Sequence, residues 1–187
     1  IIAVTGSNGK TTTCNMLNDM LNGSDIEPVL SGNLGIPFSE TVLQQLKKPS
    51  KNICYILEVS SFQLEKIEKF KPRYAIYTNI SSDHLDRHWT MSEYIKMKLR
   101  LIKNISHNDY IIYNQDDTIL NQIFINNISK KVSYSLKKDS NGYYLKNGYI
   151  INQNKKEIIS HDKLSIPGKH NILNFIAAAT CSKLIGI

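Results

Sequence analysis

Near its start the chain reads Thr5-Gly6-Ser7-Asn8-Gly9-Lys10-Thr11-Thr12, between an apolar run at residues 1–4 and a helical pattern that continues to Leu21. A strand, a glycine-containing turn, Lys-Thr and a helix form the arrangement that cradles nucleotide phosphates, because backbone N–H groups and the positive end of the helix point at the anion. The usual motif has a further glycine where this chain has Val4, so we predict a tighter variant of the loop. The alternative is a strand-to-helix turn that carries a lysine and binds no phosphate.

This loop supplies the first set of predicted ligands. Lys10 is expected to reach the β- and γ-phosphates of a bound nucleotide, and the Thr11 hydroxyl is expected to bind Mg²⁺. Glycine lets the backbone approach the phosphates closely. The predicted nucleotide ligands of the loop are Gly6, Asn8, Gly9, Lys10, Thr11 and Thr12.

The composition narrows the class of protein. The 187 residues are 41% hydrophobic and 21% charged, which is typical of a globular domain, and no apolar run approaches the ~18 residues that span a bilayer. Cys14, Cys54 and Cys181 form no Cys-x-x-Cys motif, so a reducing cytoplasm is expected. The net charge of +7 is spread along the chain, which suits small anionic substrates and argues against a nucleic-acid partner.

Strand-like and helix-like patterns alternate along the chain, which predicts an α/β fold with a mostly parallel sheet flanked by helices, like that of P-loop NTPases. Strands are predicted at 1–4, 28–30, 53–57, 74–77 and 110–113, and helices at 12–21, 39–46, 61–70, 92–105, 117–126 and 172–184. Alternation at 132–136 and a hairpin around Asn147-Gly148 predict a small antiparallel patch near 130–160 at the edge of the sheet.

Three predicted strands run into polar residues: Thr5, Glu58 and Asn79. Because ligands of open α/β sheets bind at the carboxyl ends of the strands, we expect these residues to converge on one site. A carboxylate beside a phosphate loop is placed to hold Mg²⁺, which is the role predicted for Glu58. An acid near the start of the next helix is the alternative.

The loop after the strand at 74–77 is dense in groups that bind metals and anions. His84 is a candidate metal ligand, although an ordinary loop histidine is the alternative. Arg87 is a candidate partner for a substrate carboxylate or phosphate, and pairing with Asp83 or Asp86 is the alternative.

Lys98 faces the core side of the predicted helix 92–105. Tyr94 precedes it by four residues and Leu101 follows it by three, so all three share the apolar arc. The other basic residues of the helix lie on the opposite side: Lys96, Arg100 and Lys103. A buried lysine favours the neutral amine, which reacts with CO₂ to give a carbamate that resembles a carboxylate ligand. A lysine that reaches solvent at the rim of the helix is the alternative.

The last predicted helix carries Asn171 and Asn174, which lie three residues apart and so on one face. Asparagine amides match the donor and acceptor edge of adenine. Helix capping is an alternative for Asn171, whereas Asn174 lies too far inside the helix for that role.

Separated motifs, in this order, resemble the central ATPase domain of the Mur ligases from end to end of the chain. They are Thr5–Thr12, 32–37, 58–65, 79–88, Tyr94-x₃-Lys98-Leu99-Arg100 and Gly168-x-His170-Asn171-x₂-Asn174. Within the family, the run from Ser60 to Glu65 is similar to the branch that adds D-glutamate. Ligases that add diaminopimelate or lysine typically have Ser-Ser-His there, and folylpolyglutamate synthases differ after the phosphate loop.

The resemblance implies an ATP-dependent ligase of peptidoglycan precursor synthesis. ATP phosphorylates the carboxylate of UDP-MurNAc-L-alanine, and the amine of D-glutamate attacks the acyl phosphate. By motif, Lys10 stabilises the migrating phosphoryl group, Thr11 and Glu58 hold one Mg²⁺, and Asn171 and Asn174 contact adenine. Carried over in the same way, His84 and Lys98, the latter as N6-carboxylysine, serve a second metal, and Asn33, Ser60 and Gln63 line the acyl-acceptor side, while Arg87 remains a candidate substrate contact.

The resemblance also implies that residues 1–187 form a single central ATP-binding domain of a larger, monomeric cytoplasmic ligase. The N-terminal UDP-binding and C-terminal amino-acid-binding domains lie outside this sequence, so we expect the domain alone not to ligate. Another member of the family, a folylpolyglutamate synthase-like protein and a simple P-loop NTPase remain as alternatives.

Overall fold

The computed structural model describes residues 1–33, 35–49, 52–81, 90–125, 130–137, 139–152, 154 and 156–187. Its strands are β1 (Ile2–Thr5), β2 (Glu27–Gly32), β3 (Ile53–Glu58), β4 (Tyr74–Tyr77), β5 (Tyr110–Asn114), β6 (Lys130–Tyr134), β7 (Tyr144–Lys146), β8 (Tyr149–Ile151) and β9 (Glu157–Ser160). The α-helices of this part of the chain are α1 (Lys10–Leu21), α2 (Phe38–Lys47), α3 (Ser61–Leu64), α4 (Met91–Leu99), α5 (Thr118–Phe124) and α6 (Lys169–Ile185).

The main sheet has six parallel strands in the order β2-β3-β1-β4-β5-β6. After β1 the chain continues to β2 on one side of the sheet, and after β4 it continues to β5 on the other side. A topological switch point therefore lies between the neighbouring strands β1 and β4. Val4 pairs with Glu58 and Thr5 pairs with Tyr77, which brings the carboxyl ends of β1, β3 and β4 level with one another. The predicted α/β class is confirmed, as is the convergence of these three strand ends.

Alternate side chains of the strands build two cores, one on each face of the sheet. Ile2 and Val4 pack with α1 and α6, in a cluster that includes Leu17, Ile176 and Cys181. Ala3 points to the other face, where Leu57, Tyr77 and Ile111 pack with α3, α4 and α5. Because every central strand is covered on both sides, its sequence is a continuous apolar run. Among the described helices, none combines the length and the apolar character needed to cross a bilayer.

The antiparallel patch forms a separate three-stranded sheet in the order β7-β8-β9. Asn147 (φ 51°) and Gly148 (φ 82°) both have positive φ, as the two central residues of a type I′ turn require, which confirms the predicted hairpin. The patch begins later than predicted, because β6 pairs in parallel with β5 in the main sheet. An outermost strand is covered less than a central one, so its alternating sequence does not distinguish parallel from antiparallel pairing.

The predicted helix 61–70 is wrong beyond Leu64, where α3 ends. Arg100 supplies the physical reason, because its Nε donates to the carbonyl of Leu64 (2.7 Å) and its Nη2 to that of Ile67 (2.9 Å). Arg100 is therefore half-buried at this contact, in place of the exposed side predicted for it. The predicted helix 92–105 also ends early, at Leu99, and a short 3₁₀ turn follows over Arg100–Ile102.

Candidate active site

The phosphate loop joins β1 to α1 with its backbone open toward the carboxyl edge of the sheet. Gly9 precedes the helix with φ 83°, and no side chain caps the first turn, so the N-terminal N–H groups of α1 are available to an anion. Gly6 has φ 152°, and a Cβ there would collide with the Thr78 hydroxyl and approach the Asn79 backbone to 3.1 Å. The tight turn therefore requires glycine at Gly6 for both its conformation and its contact with the end of β4. Thr12 lies in the first turn of α1.

The Lys10 ammonium group folds back onto the loop. Its Nζ donates to the carbonyls of Gly6 (3.0 Å) and Ser7 (2.8 Å). A phosphate at the start of α1 would compete with these two carbonyls for the ammonium group. Lys10 is the first residue of α1 and lies in the phosphate loop region, as the sequence predicts.

The segment that follows β4 supports the loop from outside. The Asn79 carbonyl accepts from the Ser7 N–H (2.9 Å), and the Asn79 amide side chain pairs with both backbone groups of Asn8. The Thr78 hydroxyl also donates to the Asn8 carbonyl (2.7 Å). These contacts hold a loop that lacks the additional glycine of the usual motif.

A second set of contacts joins the loop to α4. The Ser7 hydroxyl lies 3.0 Å from the buried Tyr94 hydroxyl, and it accepts from the Ser81 N–H at 3.0 Å. Sequence reasoning assigned no role in the site to Ser7, Thr78 or Tyr94, and it predicted Asn79 at a strand end without naming a contact. The available signal was the run of polar residues directly after a buried strand.

Glu58 lies at the end of β3 with only 4% of its surface exposed. One carboxylate oxygen accepts from the Thr11 hydroxyl (2.6 Å) and the other from the Asn33 side-chain amide (3.1 Å). A carboxylate and a hydroxyl beside a phosphate loop are hard oxygen ligands, so this donor set fits Mg²⁺. Within the described ranges, no group of three or more His, Cys, Asp and Glu residues is placed to hold a metal.

Cys14 lies on the first turns of α1 and is buried. Burial, reinforced by the negative charge of Glu58, raises the pKa of its thiol far above the ordinary value, although Lys10 opposes this shift. The thiol is therefore protonated and unreactive at neutral pH.

Lys98 reaches the phosphate loop from α4. Only 2% of its surface is exposed, its Nζ donates to the Gly6 carbonyl (2.8 Å), and it lies 4.6 Å from the centre of the Tyr94 ring. The predicted burial is confirmed, and the alternative of a lysine that reaches solvent is wrong. Lys10 and Lys98 thus donate to the same carbonyl from opposite sides of the loop.

The residues predicted on the acceptor side are engaged with one another or with Glu58. Asn33 orients the Glu58 carboxylate, whereas Ser60 and Gln63 form a reciprocal capping box at the start of α3. A cavity of about 130 Å³ borders Glu58, Gln63 and Phe70, next to these side chains. Contact of Asn33, Ser60 and Gln63 with a substrate stays a prediction.

Asn171 and Asn174 lie on one face of α6, as predicted. Asn174 is 6% exposed and lies against the phosphate loop, because a Cβ at Gly9 would collide with its side-chain oxygen. Asn171 donates to the Pro167 carbonyl (2.7 Å) and lines a groove of about 430 Å³ between α1, α6 and the segment 159–166. The amide nitrogen of Asn174 lies 3.4 Å from the Asn171 oxygen.

Two predicted site residues, His84 and Arg87, lie outside the described residues. Their roles as metal ligand and anion partner stay predictions. Asp83 and Asp86, the alternative partners of Arg87, lie in the same range.

Comparison with known proteins extends the likeness over almost the whole chain. Residues 4–182 match the family model described as the Mur ligase middle domain. The UDP-N-acetylmuramoylalanine–D-glutamate ligases of Staphylococcus haemolyticus and Staphylococcus carnosus are each 41% identical over 188 residues, which is 100% of this chain and 40% of each relative. The chain thus spans about two fifths of the length of these curated relatives.

Solved structures share the fold. A UDP-N-acetylmuramoyl-L-alanyl-D-glutamate–2,6-diaminopimelate ligase superposes with a TM-score of 0.78 at 24% identity, over 100% of this chain and 43% of that one. MurF ligase from Thermotoga maritima in complex with ADP superposes with a TM-score of 0.71 at 18% identity, over 99% and 45% of the two chains. At these identities the superpositions show the architecture alone.

Proposed function

The chain belongs to the Mur ligase middle domain family, and from this premise we propose that it is the ATP-binding domain of the ligase that adds D-glutamate to UDP-MurNAc-L-alanine. One observation carries the proposal: the phosphate loop, the Glu58–Thr11 pair and buried Lys98 meet at one edge of the sheet. The relatives named as D-glutamate ligases, at 35–41% identity over the whole chain, support this branch of the family.

The proposed reaction has two steps. First, the γ-phosphoryl group of ATP passes to a carboxylate oxygen of UDP-MurNAc-L-alanine, which gives an acyl phosphate and ADP. The amine of D-glutamate then attacks the acyl carbon, loses a proton, and expels inorganic phosphate from the tetrahedral intermediate. The product contains a new amide bond, and the energy comes from the phosphoanhydride of ATP.

The chain's own groups bind and orient the triphosphate. The free N–H groups at the start of α1 would face the phosphates, and Lys10 would exchange its bonds to Gly6 and Ser7 for the migrating phosphoryl group. Such a charge acts most strongly where charge builds up in the transition state. Asn171 and Asn174 are the proposed contacts of adenine, beside the groove between α1 and α6.

Thr11 and Glu58 would hold Mg²⁺, which supplies neutralisation of phosphate charge when bound. Asn33 would keep the Glu58 carboxylate aimed at that site through its 3.1 Å hydrogen bond. We also propose that His84 and Lys98, the latter as N6-carboxylysine, serve a second metal ion. Burial of Lys98 beside the loop supports this assignment, because it keeps the amine away from water.

On the acceptor side, we propose that Asn33, Ser60 and Gln63 line the route of the acyl acceptor, and that Arg87 pairs with a substrate carboxylate or phosphate. The cavity beside Glu58 and Gln63 supports this placement. Because the chain spans about two fifths of its relatives, we expect domains outside residues 1–187 to bind the UDP group and the amino acid. We expect a cytoplasmic monomer that needs neither nucleic acid nor a membrane.

The substrate assignment is tested with the full-length protein that contains residues 1–187. Phosphate release is measured with UDP-MurNAc-L-alanine and D-glutamate together, with each omitted, and with L-lysine or meso-diaminopimelate in place of D-glutamate. We expect release only when both proposed substrates are present. Equal release without them would indicate a simple NTPase, and a preference for lysine or diaminopimelate would move the protein to another branch. Residues 1–187 alone should release no phosphate that depends on both substrates.

A further inference from the structure

Asn79 makes three hydrogen bonds to two consecutive residues of the phosphate loop. Its backbone carbonyl accepts from the Ser7 N–H at 2.9 Å. Its side-chain oxygen accepts from the Asn8 N–H at 2.9 Å, and its side-chain nitrogen donates to the Asn8 carbonyl at 2.9 Å. One residue of the segment after β4 thus occupies three polar groups of the turn.

An amide side chain is chemically required for this pairing. Aspartate accepts hydrogen bonds but has no donor for the Asn8 carbonyl when ionised, and serine is too short to bridge both groups. The pairing also directs the Ser7 and Asn8 N–H groups toward Asn79. A phosphate would therefore meet the N–H groups from Gly9, the residue before α1, onward into the first turn of the helix.

The segment that carries Asn79 is fixed on its other side. The Asp117 carboxylate accepts from the Ile80 N–H (2.8 Å) while its second oxygen caps α5 through the Leu120 N–H (2.9 Å). The Ser81 N–H donates to the Ser7 hydroxyl at 3.0 Å. Residues 79–81 therefore form a brace between the start of α5 and the phosphate loop.

We propose that Asn79 is a positioning residue for nucleotide binding, whose side-chain amide fixes the Ser7–Asn8 backbone in the form that accepts phosphate. The loop has Val4 where the usual motif has a glycine, and the brace provides support that the short turn does not provide for itself. This inference rests on the proposed function only in that the loop binds ATP. It does not depend on which amino acid is added.

The test measures ADP and ATP affinity of the full-length protein by calorimetry, together with Tm without nucleotide. Asn79→Ser removes two hydrogen bonds and is expected to weaken both nucleotides about 10-fold. Asn79→Asp also places a negative charge beside the loop, so a larger loss is expected. Thr78→Val, which removes one bond to the Asn8 carbonyl and keeps the side-chain shape, should weaken affinity about threefold and serves if Asn79 variants fail to fold.

Asn141 provides the matched control. Its side-chain oxygen accepts from the Ser133 N–H (2.7 Å) and its nitrogen donates to the Lys131 carbonyl (2.9 Å), so its amide also makes two backbone hydrogen bonds, here to two residues of β6. Asn141→Asp should therefore lower Tm without changing nucleotide affinity. A lower Tm for Asn79 variants with unchanged ADP affinity would overturn the proposal, because Asn79 would then be structural alone.

The outcomes also separate this inference from the proposed function. If the wild type binds ADP and the Asn79 and Thr78 variants bind it equally well, the inference is overturned and the ligase assignment stands. If the variants lose affinity but D-glutamate is not a substrate, the inference stands and the ligase assignment is wrong. A wild type that binds neither ADP nor ATP would overturn both.

Discussion

The phosphate loop and the outer strand β6 hold their backbones with the same kinds of contact. Lys10 donates to two carbonyls of its own loop, and Lys131 donates to two carbonyls at the end of α5, at 2.7 and 3.0 Å. Glu58 accepts from a hydroxyl and an amide, as Asp116 does from the Ser135 hydroxyl and a backbone N–H, both at 2.6 Å. Each region also has an asparagine paired with the backbone.

The two regions differ in where the contacts lead. Around the phosphate loop, contacts from β3, β4 and α4 converge on one turn, at the uncapped start of a helix and beside a topological switch point. Around β6, the contacts link neighbouring segments and do not converge on one turn: Asp116 joins the residues after β5 to those after β6, and Asn141 pairs with the backbone of β6. Hydrogen-bond chemistry alone therefore does not identify a site. What distinguishes the candidate site is that charged side chains converge on backbone N–H groups able to bind an anion.

The comparison is tested most severely by removing the two lysines. Lys10→Ala should lower kcat of the full-length protein about 100-fold or more, because its charge acts mainly in the transition state. Lys131→Ala should change kcat by no more than about twofold, since it removes a local cap remote from the loop. Steady-state phosphate release measures both. A small effect of Lys10→Ala would contradict the role assigned to it.

The two carboxylates provide a second, smaller contrast. Glu58→Gln should lower kcat about 10- to 100-fold because it weakens the proposed Mg²⁺ site, and it should destabilise the fold no more than Asp116→Asn, since it weakens two hydrogen bonds but also removes a buried charge. Asp116→Asn should leave kcat unchanged and destabilise the fold by about 1–3 kcal/mol, because it weakens two hydrogen bonds. Kinetics and thermal unfolding of both variants decide the outcome. Equal kinetic losses would remove the distinction between the regions.

Lys98 sharpens the contrast between the two lysines that reach Gly6. Lys98→Ala should lose about 100-fold in rate, and added formate or acetate should restore part of it by standing in for a carbamate. Lys10→Ala should gain nothing from the same carboxylates, because it lacks a cation. The rate is followed against carboxylate concentration. Absence of any recovery for Lys98→Ala would contradict the carbamate assignment.

The sequence predicts the sheet and much of the site because the signals are local. Continuous apolar runs identify the central strands, and the residues directly after them lie at the carboxyl edge by necessity. Helical periodicity alone places Lys98 on the buried arc beside Tyr94. These inferences need only the neighbouring residues and the geometry of one element.

Contacts across long stretches of sequence account for what was missed. Asn79 meets Asn8 at a separation of 71 residues, so no local pattern shows which of its atoms bonds to which backbone group. The early end of α3 has the same origin. The Arg100 side chain, 36 residues further along the chain, donates to the Leu64 carbonyl at the end of that helix. The parallel direction of β6 is likewise set by its pairing with β5, and the alternation of polar and apolar residues within β6 does not show it.

We propose above all that this edge of the sheet directs a phosphoryl group onto a carboxylate before an amine attacks. The most direct measurement supplies the full-length protein with ATP, D-glutamate and UDP-MurNAc-L-alanine whose carboxylate carries a heavy oxygen isotope. Mass spectrometry then weighs the released phosphate. We predict one labelled oxygen in each phosphate, because the oxygen that accepts the phosphoryl group leaves with it. Phosphate with no labelled oxygen would show transfer to water and contradict the account.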